Sequence, residues 1–295
     1  MLRTLKAIPV SLACAAALAA ADTPPEVRLS AADVVDKNVA ARGGLAAWRS
    51  VQTMTLSGKL GAGGNQRATL QLPTPGGRNG AQSILPTRPV EEFQLPFTMD
   101  LKRPRKMRFE LQFAGQTAVQ VFDGANGWKL RPFLNRRVVE PYTEDEMKVA
   151  SMQADLDGPL VDYAAKGTKV ELAGMEKVES RDNYKLRLTM SNGRSIHVWI
   201  DAESFLETKI EAQPRVMDGT PHPVEVYFRD YRTIVGLKIP FVLETKVLPV
   251  EETATGLKDP PVPVERISIE KVSVNPKLED ARFVKPEIEV AANPR

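Results

Sequence analysis

Cysteine is nearly absent from this 295-residue chain, and its one thiol, Cys14, sits inside the first apolar run. The rest of the chain therefore has no disulfide, no thiolate nucleophile and no cysteine metal ligand. Histidine is almost as scarce. His197 falls between Ile196 and Val198 in an alternating stretch, so it points to the face opposite theirs. His222 lies between Pro221 and Pro223. Neither has a partner at a spacing that would hold a metal, so no metal or other cofactor is expected. No G-x-S-x-G and no phosphate-cradling glycine loop occurs. No catalytic residue is assigned, and an enzyme is not expected.

Long apolar runs are missing after residue 21. The first residues read as an export signal: Arg3 and Lys6, an apolar stretch from Ala7 to Ala21, and a small-residue site at Ala19-Ala20-Ala21 before Asp22. That stretch is short of the roughly 20 residues a membrane-spanning helix needs. The reading is a signal peptide over residues 1–21 and a periplasmic protein. The alternative is a lipoprotein anchored at Cys14. It is weakened by Ser11, which stands where a lipobox has a large aliphatic residue.

Charge of one sign is also lacking. The chain has 40 Lys and Arg against 37 Asp and Glu, and the signal removes two bases, Arg3 and Lys6, and no acid. A net charge of about +1 gives no reason to expect nucleic acid as a partner.

What the chain does have is alternation. Phe93, Leu95, Phe97, Met99 and Leu101 recur at every second position. After Lys102-Arg103-Pro104-Arg105 the period resumes at Met107, Phe109, Leu111 and Phe113. Such strands have one dry and one wet face and pair as an antiparallel sheet solvated on one side. Further segments follow, at 54–60, 68–72, 119–121, 128–130, 170–172, 184–190, 196–200, 206–210, 224–228, 237–243 and 267–274. Asn192-Gly193 marks a hairpin. The change of parity between Ile269 and Val272 marks a bulge. The expected sheet has about ten or eleven strands. Residues 22–295 are expected to form one domain, with 73–92 as a loop insertion.

Helical signals are few. Ser30 and Asp33 resemble a capping box, and Arg42-Gly43-Gly44 a helix end. One further turn carries Trp48. Thr143 and Glu146 form a second capping box, after which Met147, Val149, Met152 and Leu156 recur at helical spacing, with a short helix expected over 160–165. The expected fold class is mainly β with α cover. Met147, Met152 and Leu156 are core residues of helix 143–156, or else line the underside of a lid, since methionine adapts to irregular ligands. Phe97, Phe109, Trp128 and Tyr163 would then line the space beneath. Lys102, Arg103, Arg105 and Lys106 form a basic turn that is either simply solvated or a docking patch for an anionic surface. Glu144, Asp145, Asp155 and Asp157 read as a favourable helix start plus a solvated face.

Several ordered stretches resemble the LolA-like family of outer-membrane lipoprotein-sorting proteins. They are 37–44 (KNVAARGG) with Trp48, 116–128 (QTAVQVFDGANGW), 157–163 (DGPLVDY), 174–178 (GMEKV), 198–201 (VWID), 270–272 (EKV) and 283–286 (FVKP). The resemblance implies an incomplete β-barrel whose concave apolar face is closed by helices. It also implies a monomeric periplasmic carrier of lipid or lipoprotein acyl chains, with an inner- or outer-membrane protein partner. A non-catalytic sensor or interaction module on the same scaffold remains the alternative.

Intact mass of the exported protein checks the signal. The expected species begins at Asp22, and a diacylated species beginning at Cys14 contradicts it.

Overall fold

A computed structural model describes residues 29–63, 92–132, 136–217, 219–250 and 262–287. The signal, Cys14, the 68–72 strand and nearly all of the 73–92 insertion lie outside these residues. Helix α1 (Ala31–Ala41) starts on the expected capping box: the Ser30 hydroxyl accepts from the Asp33 N–H, and the Asp33 carboxylate accepts from Ser30. Val34, Val35, Asn38 and Val39 form its buried stripe. Helix α2 (Leu45–Ser50) follows and buries Trp48.

Strands β1 (Thr53–Gly63), β2 (Glu92–Lys102), β3 (Lys106–Phe113), β4 (Gln116–Phe122), β5 (Gly127–Arg131) and β6 (Arg136–Pro141) form a consecutive antiparallel meander. Helix α3 (Glu144–Gln153) comes next. Then come β7 (Lys169–Val178), β8 (Arg181–Thr189), β9 (Ser195–Asp201), β10 (Glu207–Glu211), β11 (Arg215–Met217), β12 (Thr220–His222), β13 (Val224–Ile234), β14 (Leu237–Val247) and β15 (Glu265–Val274). One open sheet of thirteen strands runs in the order β6-β5-β4-β3-β2-β1-β15-β14-β13-β10-β9-β8-β7, and β11–β12 forms a separate ribbon. The expected ten or eleven strands are therefore too few. Strand β6 and the ribbon carry little alternation, and the prolines around 214–223 read as loop.

The strand order dictates the cover. Strands β6 and β7 lie at opposite edges of the sheet, so the connection between them must cross its whole width. It crosses the apolar face. Ala150 of α3, then Ala154, Leu156, Leu160 and Val161, join α1 and Trp48 in one core with Met54, Phe97, Leu101, Met107, Phe122, Leu186, Leu188, Ile196, Val198, Ile200, Ile239 and Phe241. The sheet is thus an incomplete barrel, and helices close its concave face. The expected helix over 160–165 is instead a run of turns. Gly158 and Asp162 both have positive φ (77° and 53°), which an α-helix does not allow.

Two local details matter for packing. The bulge predicted near Val272 is present: Ser57 faces Lys271 and Gly58 faces Ile269, leaving Glu270 extra. At the α1–α2 junction, Gly43 has φ +116° and any Cβ there would strike the carbonyl oxygen of Gly236. This close approach seats the helices on the β13–β14 turn, where the Lys238 N–H donates to the Arg42 carbonyl at 2.9 Å.

That turn contains a strained residue. Val235 has φ 50° and is 81% exposed, and a β-branched side chain in the left-handed region is costly with no burial to offset it. Val235→Asn is expected to raise stability by about 1 kcal/mol in urea unfolding. A loss of stability would show that the Val235 side chain makes a contact that matters.

Candidate ligand site

Helix α3 is attached more lightly than α1. Only Ala150 is fully buried on it, whereas Met147 and Met152 are half-buried. Its first turn is held by charge: Lys129 Nζ donates to both Glu146 oxygens at 2.6 Å, and Arg131 reaches the same carboxylate at 3.1 Å. Glu146 also closes the capping box on Thr143. Burial works to raise the Glu146 pKa, but the Lys129 and Thr143 hydrogen bonds outweigh it and hold it below its usual value.

Under the C-terminal half of α3 lies a cavity of about 390 Å³. Its apolar wall is Met147, Met152, Pro159, Met190 and Ile210; Arg105, Lys148, Asp155 and Lys166 supply charge, and Ser151, Thr168, Ser191 and Asn192 the remaining polar atoms. A wider groove of about 910 Å³ shares Lys148 and Asn192 with it, and runs past Arg194, Glu211 and Glu225 to an apolar side of Ile196, Ala212, Pro214, Pro221, Pro223, Val224 and Leu248.

The expected site residues separate. Met147 and Met152 meet at the cavity. Leu156 is buried in the core. Phe97 and Phe109 stack at 5.7 Å on the helix-covered face but line no described cavity. Tyr163 lines a different hollow, between α1, α2 and the 160–165 turns. Trp128 is corrected outright. Phe122, on the Phe109 face, pairs with Gly127, and Val121 pairs with Trp128, so Trp128 lies on the opposite face. Met190, Ile210, Asp155 and Lys166 were not singled out as lining residues, although Met190 and Ile210 stood in the alternating segments.

The basic turn is not a uniformly solvated patch. Arg103 donates from Nε to the Val51 carbonyl at 2.8 Å and from Nη2 to the Trp48 carbonyl at 3.1 Å, and pairs with Asp157. Lys102 and Lys106 both pair with Asp280, and Lys102 also donates to the Leu278 carbonyl. Arg105 alone has no side-chain partner among the described residues, and it lines the cavity.

The acidic group is also corrected in part. Glu144 and Asp145 are exposed at the start of α3, as expected. Asp155 and Asp157 lie beyond its end, and Asp157 is 1% exposed. Lys166 Nζ donates to Asp155 at 2.8 Å, to Asp157 at 2.6 Å and to the Gly158 carbonyl at 2.7 Å. Arg42, itself buried, donates to the Asp157 carbonyl at 3.0 Å and pairs with Glu207 at 3.1 Å. Charges this far from water persist only when paired, and here every carboxylate has a cation. Burial pushes the Asp155 carboxyl up to about 6 against the pull of Lys166. Burial also works to raise Asp157, but hydrogen bonds from Lys166 and Arg103 outweigh it and hold it low.

The two histidines are apart in role as in sequence. His197 Nδ1 lies 3.0 Å from Glu211, and His222 is buried with Nδ1 3.3 Å from the Leu248 carbonyl. Among the described residues, no helix is long and apolar enough to cross a membrane.

No family model matches the chain, and no curated protein does. Solved structures do. A LolA superfamily protein from Nitrosomonas europaea superposes with a TM-score of 0.53 at 13% identity, over 88% of this chain and 99% of that one. A DUF1329 family protein from Desulfovibrio piger gives 0.50 at 14%, over 86% and 97%. A putative outer membrane lipoprotein-sorting protein domain from Vibrio parahaemolyticus gives 0.47 at 11%, over 85% and 94%. The chain has a LolA-like fold.

The Asp155 shift has a testable sign. A carboxyl raised in the folded state favours folding below its unfolded value, and that contribution is lost as pH rises through the folded value. The stability of the wild type relative to Asp155→Asn should therefore fall between about pH 4 and 6.5. Urea titrations at both ends measure it, and a pH-independent difference would contradict the buried placement.

Proposed function

We propose that this protein is a non-catalytic carrier that binds an acyl chain between α3 and the sheet, for transport within the cell envelope. The observation that carries this reading is the cavity walled by Met147, Met152, Met190 and Ile210 beneath the most lightly packed part of the cover. Among the described residues, much of the rest of the concave face is filled by the protein's own side chains. A helix that buries one alanine fully and rests on unbranched methionines can shift at small cost. The fold is one shared with a LolA superfamily protein, which supports the carrier reading over a closed core. The export signal supports a periplasmic location, and a membrane protein that loads or unloads the chain would be its partner.

The energetics are adequate. Each buried methylene is worth about 0.8 kcal/mol, so a dozen supply roughly 10 kcal/mol. Association and ordering take back about 4–15 kcal/mol. Where that cost lies near its lower end, about 6 kcal/mol is left, which gives the useful yet reversible binding a carrier requires.

Met152→Asp places a charge against the apolar wall. It should abolish binding of a fluorescent fatty acid while circular dichroism shows the sheet intact. If the wild type binds no acyl ligand, α3 is only a second layer of a closed core, and an interaction module replaces the carrier.

A further inference from the structure

The methionine cavity and the open groove meet at Lys148 and Asn192, and two guanidinium groups that line them, Arg105 and Arg194, have no ion-pair partner among the described residues. Arg194 is the clearest case. Its Nη1 donates to the Met152 sulfur at 3.1 Å, and it has no carboxylate within ion-pair distance among the described residues. Partial burial lowers its pKa, with the more distant Glu211 opposing. Glu211 is itself engaged, accepting the His197 backbone N–H at 2.8 Å and facing His197 Nδ1 at 3.0 Å. A thioether is a weak acceptor for a guanidinium, which normally takes a carboxylate or phosphate in a two-pronged bond.

Two more cations stand nearby. Lys148 is paired with Asp145 at 3.0 Å, but both side chains are more than half exposed, so the pair is weak and readily exchanged. Arg105, at the cavity, has no side-chain partner among the described residues. The acid in the cavity wall, Asp155, is matched by Lys166 and does not compete for these groups.

We infer that the ligand is a single-chain amphiphile with an anionic headgroup, its chain against Met147, Met152 and Met190 and its head on Arg194 and Lys148. This rests on the acyl-binding reading and adds the charge and chain number. A volume of 390 Å³ is near the lower end of the roughly 300–1,000 Å³ of small-molecule sites, which suits one chain. Met152 touches both the chain's wall and the guanidinium, so an arriving anion would take Arg194 from the sulfur and free the methionine to pack on the chain.

Calorimetry on the full mature protein at low salt, with dodecyl phosphate, dodecanol and inorganic phosphate as probes, separates the terms. Dodecyl phosphate should bind at least about tenfold tighter than dodecanol, as expected of a charged hydrogen bond, and inorganic phosphate should bind far more weakly than either. Arg194→Gln should remove most of that preference, lowering dodecanol affinity by no more than about twofold, and added salt should reduce it in the wild type. Lys148→Gln, at an exposed position, should act in the same direction to a smaller extent. Equal affinity for the two amphiphiles overturns the headgroup inference and leaves the acyl reading standing. Inorganic phosphate binding as tightly as dodecyl phosphate marks a plain anion site and overturns it too. Failure of both amphiphiles to bind removes the acyl reading and this inference with it.

Discussion

Asp157 is where the cover is tied to the sheet. It is 1% exposed, and two cations meet its carboxylate: Arg103 from the β2–β3 turn and Lys166 from the far side of the turns after α3. Its carbonyl takes Arg42 from the end of α1. Removing one partner from such a cluster leaves a buried charge unmatched, at a cost of about 3–5 kcal/mol. Arg103 extends the tie to α2 through the Trp48 and Val51 carbonyls. Three separate pieces of chain therefore hold one position relative to each other by electrostatics as well as by packing.

This arrangement divides the cover into unequal parts. The α1, α2 and 157–163 portion is pinned by Asp157 and filled by Val34, Val35, Trp48, Leu160 and Val161. The α3 portion rests on Ala150 and half-buried methionines, and its ion pairs at Glu146 and Asp155 sit closer to water. The methionine cavity lies under the α3 portion, whereas the hollow at Tyr163 beside the pinned portion is lined by no strand residue. Tight packing and buried charge pairs hold one region of the layer, and looser packing with more exposed pairs holds the other, so one region can yield without loosening the other.

What was legible in the chain depended on how local its cause was. The capping boxes at Ser30–Asp33 and Thr143–Glu146 need only four residues, and both formed. The alternation at 93–101 and 107–113 needs only the pleat, and it placed β2 and β3 and their shared apolar face. The bulge showed itself as a parity change. Trp128 failed for a reason of register. Strand β4 buries both faces, with Val121 and Phe122 each nearly inaccessible, so apolar character there does not indicate a side. Only the pairing of Gly127 with Phe122 decides it. The buried fate of Asp157 was illegible because Arg103 lies 54 residues away. An acid next to Gly158-Pro159 looks like any solvated turn until its distant cations are in place. Arg194 went unremarked for the converse reason, since the lack of a partner cannot be seen before the fold brings its neighbours near.

The strand order also bears on how the molecule assembles. Among the described residues, strands β1 to β6 pair in sequence order and β7 to β15 nearly so, and the two meanders join where β1 meets β15, at the middle of the sheet. Each half can nucleate and grow from short-range hairpins, which form early because little loop entropy opposes them. The β1–β15 seam joins residues more than two hundred positions apart, the longest separation of any strand pairing among the described residues. The seam carries the bulge at Ser57/Gly58, where the close approach of Gly58 to Ser268 leaves no room for a side chain. A bulge admits one alignment and penalises a slipped one. The pairing with the longest loop to close is thus one whose register a bulge specifies.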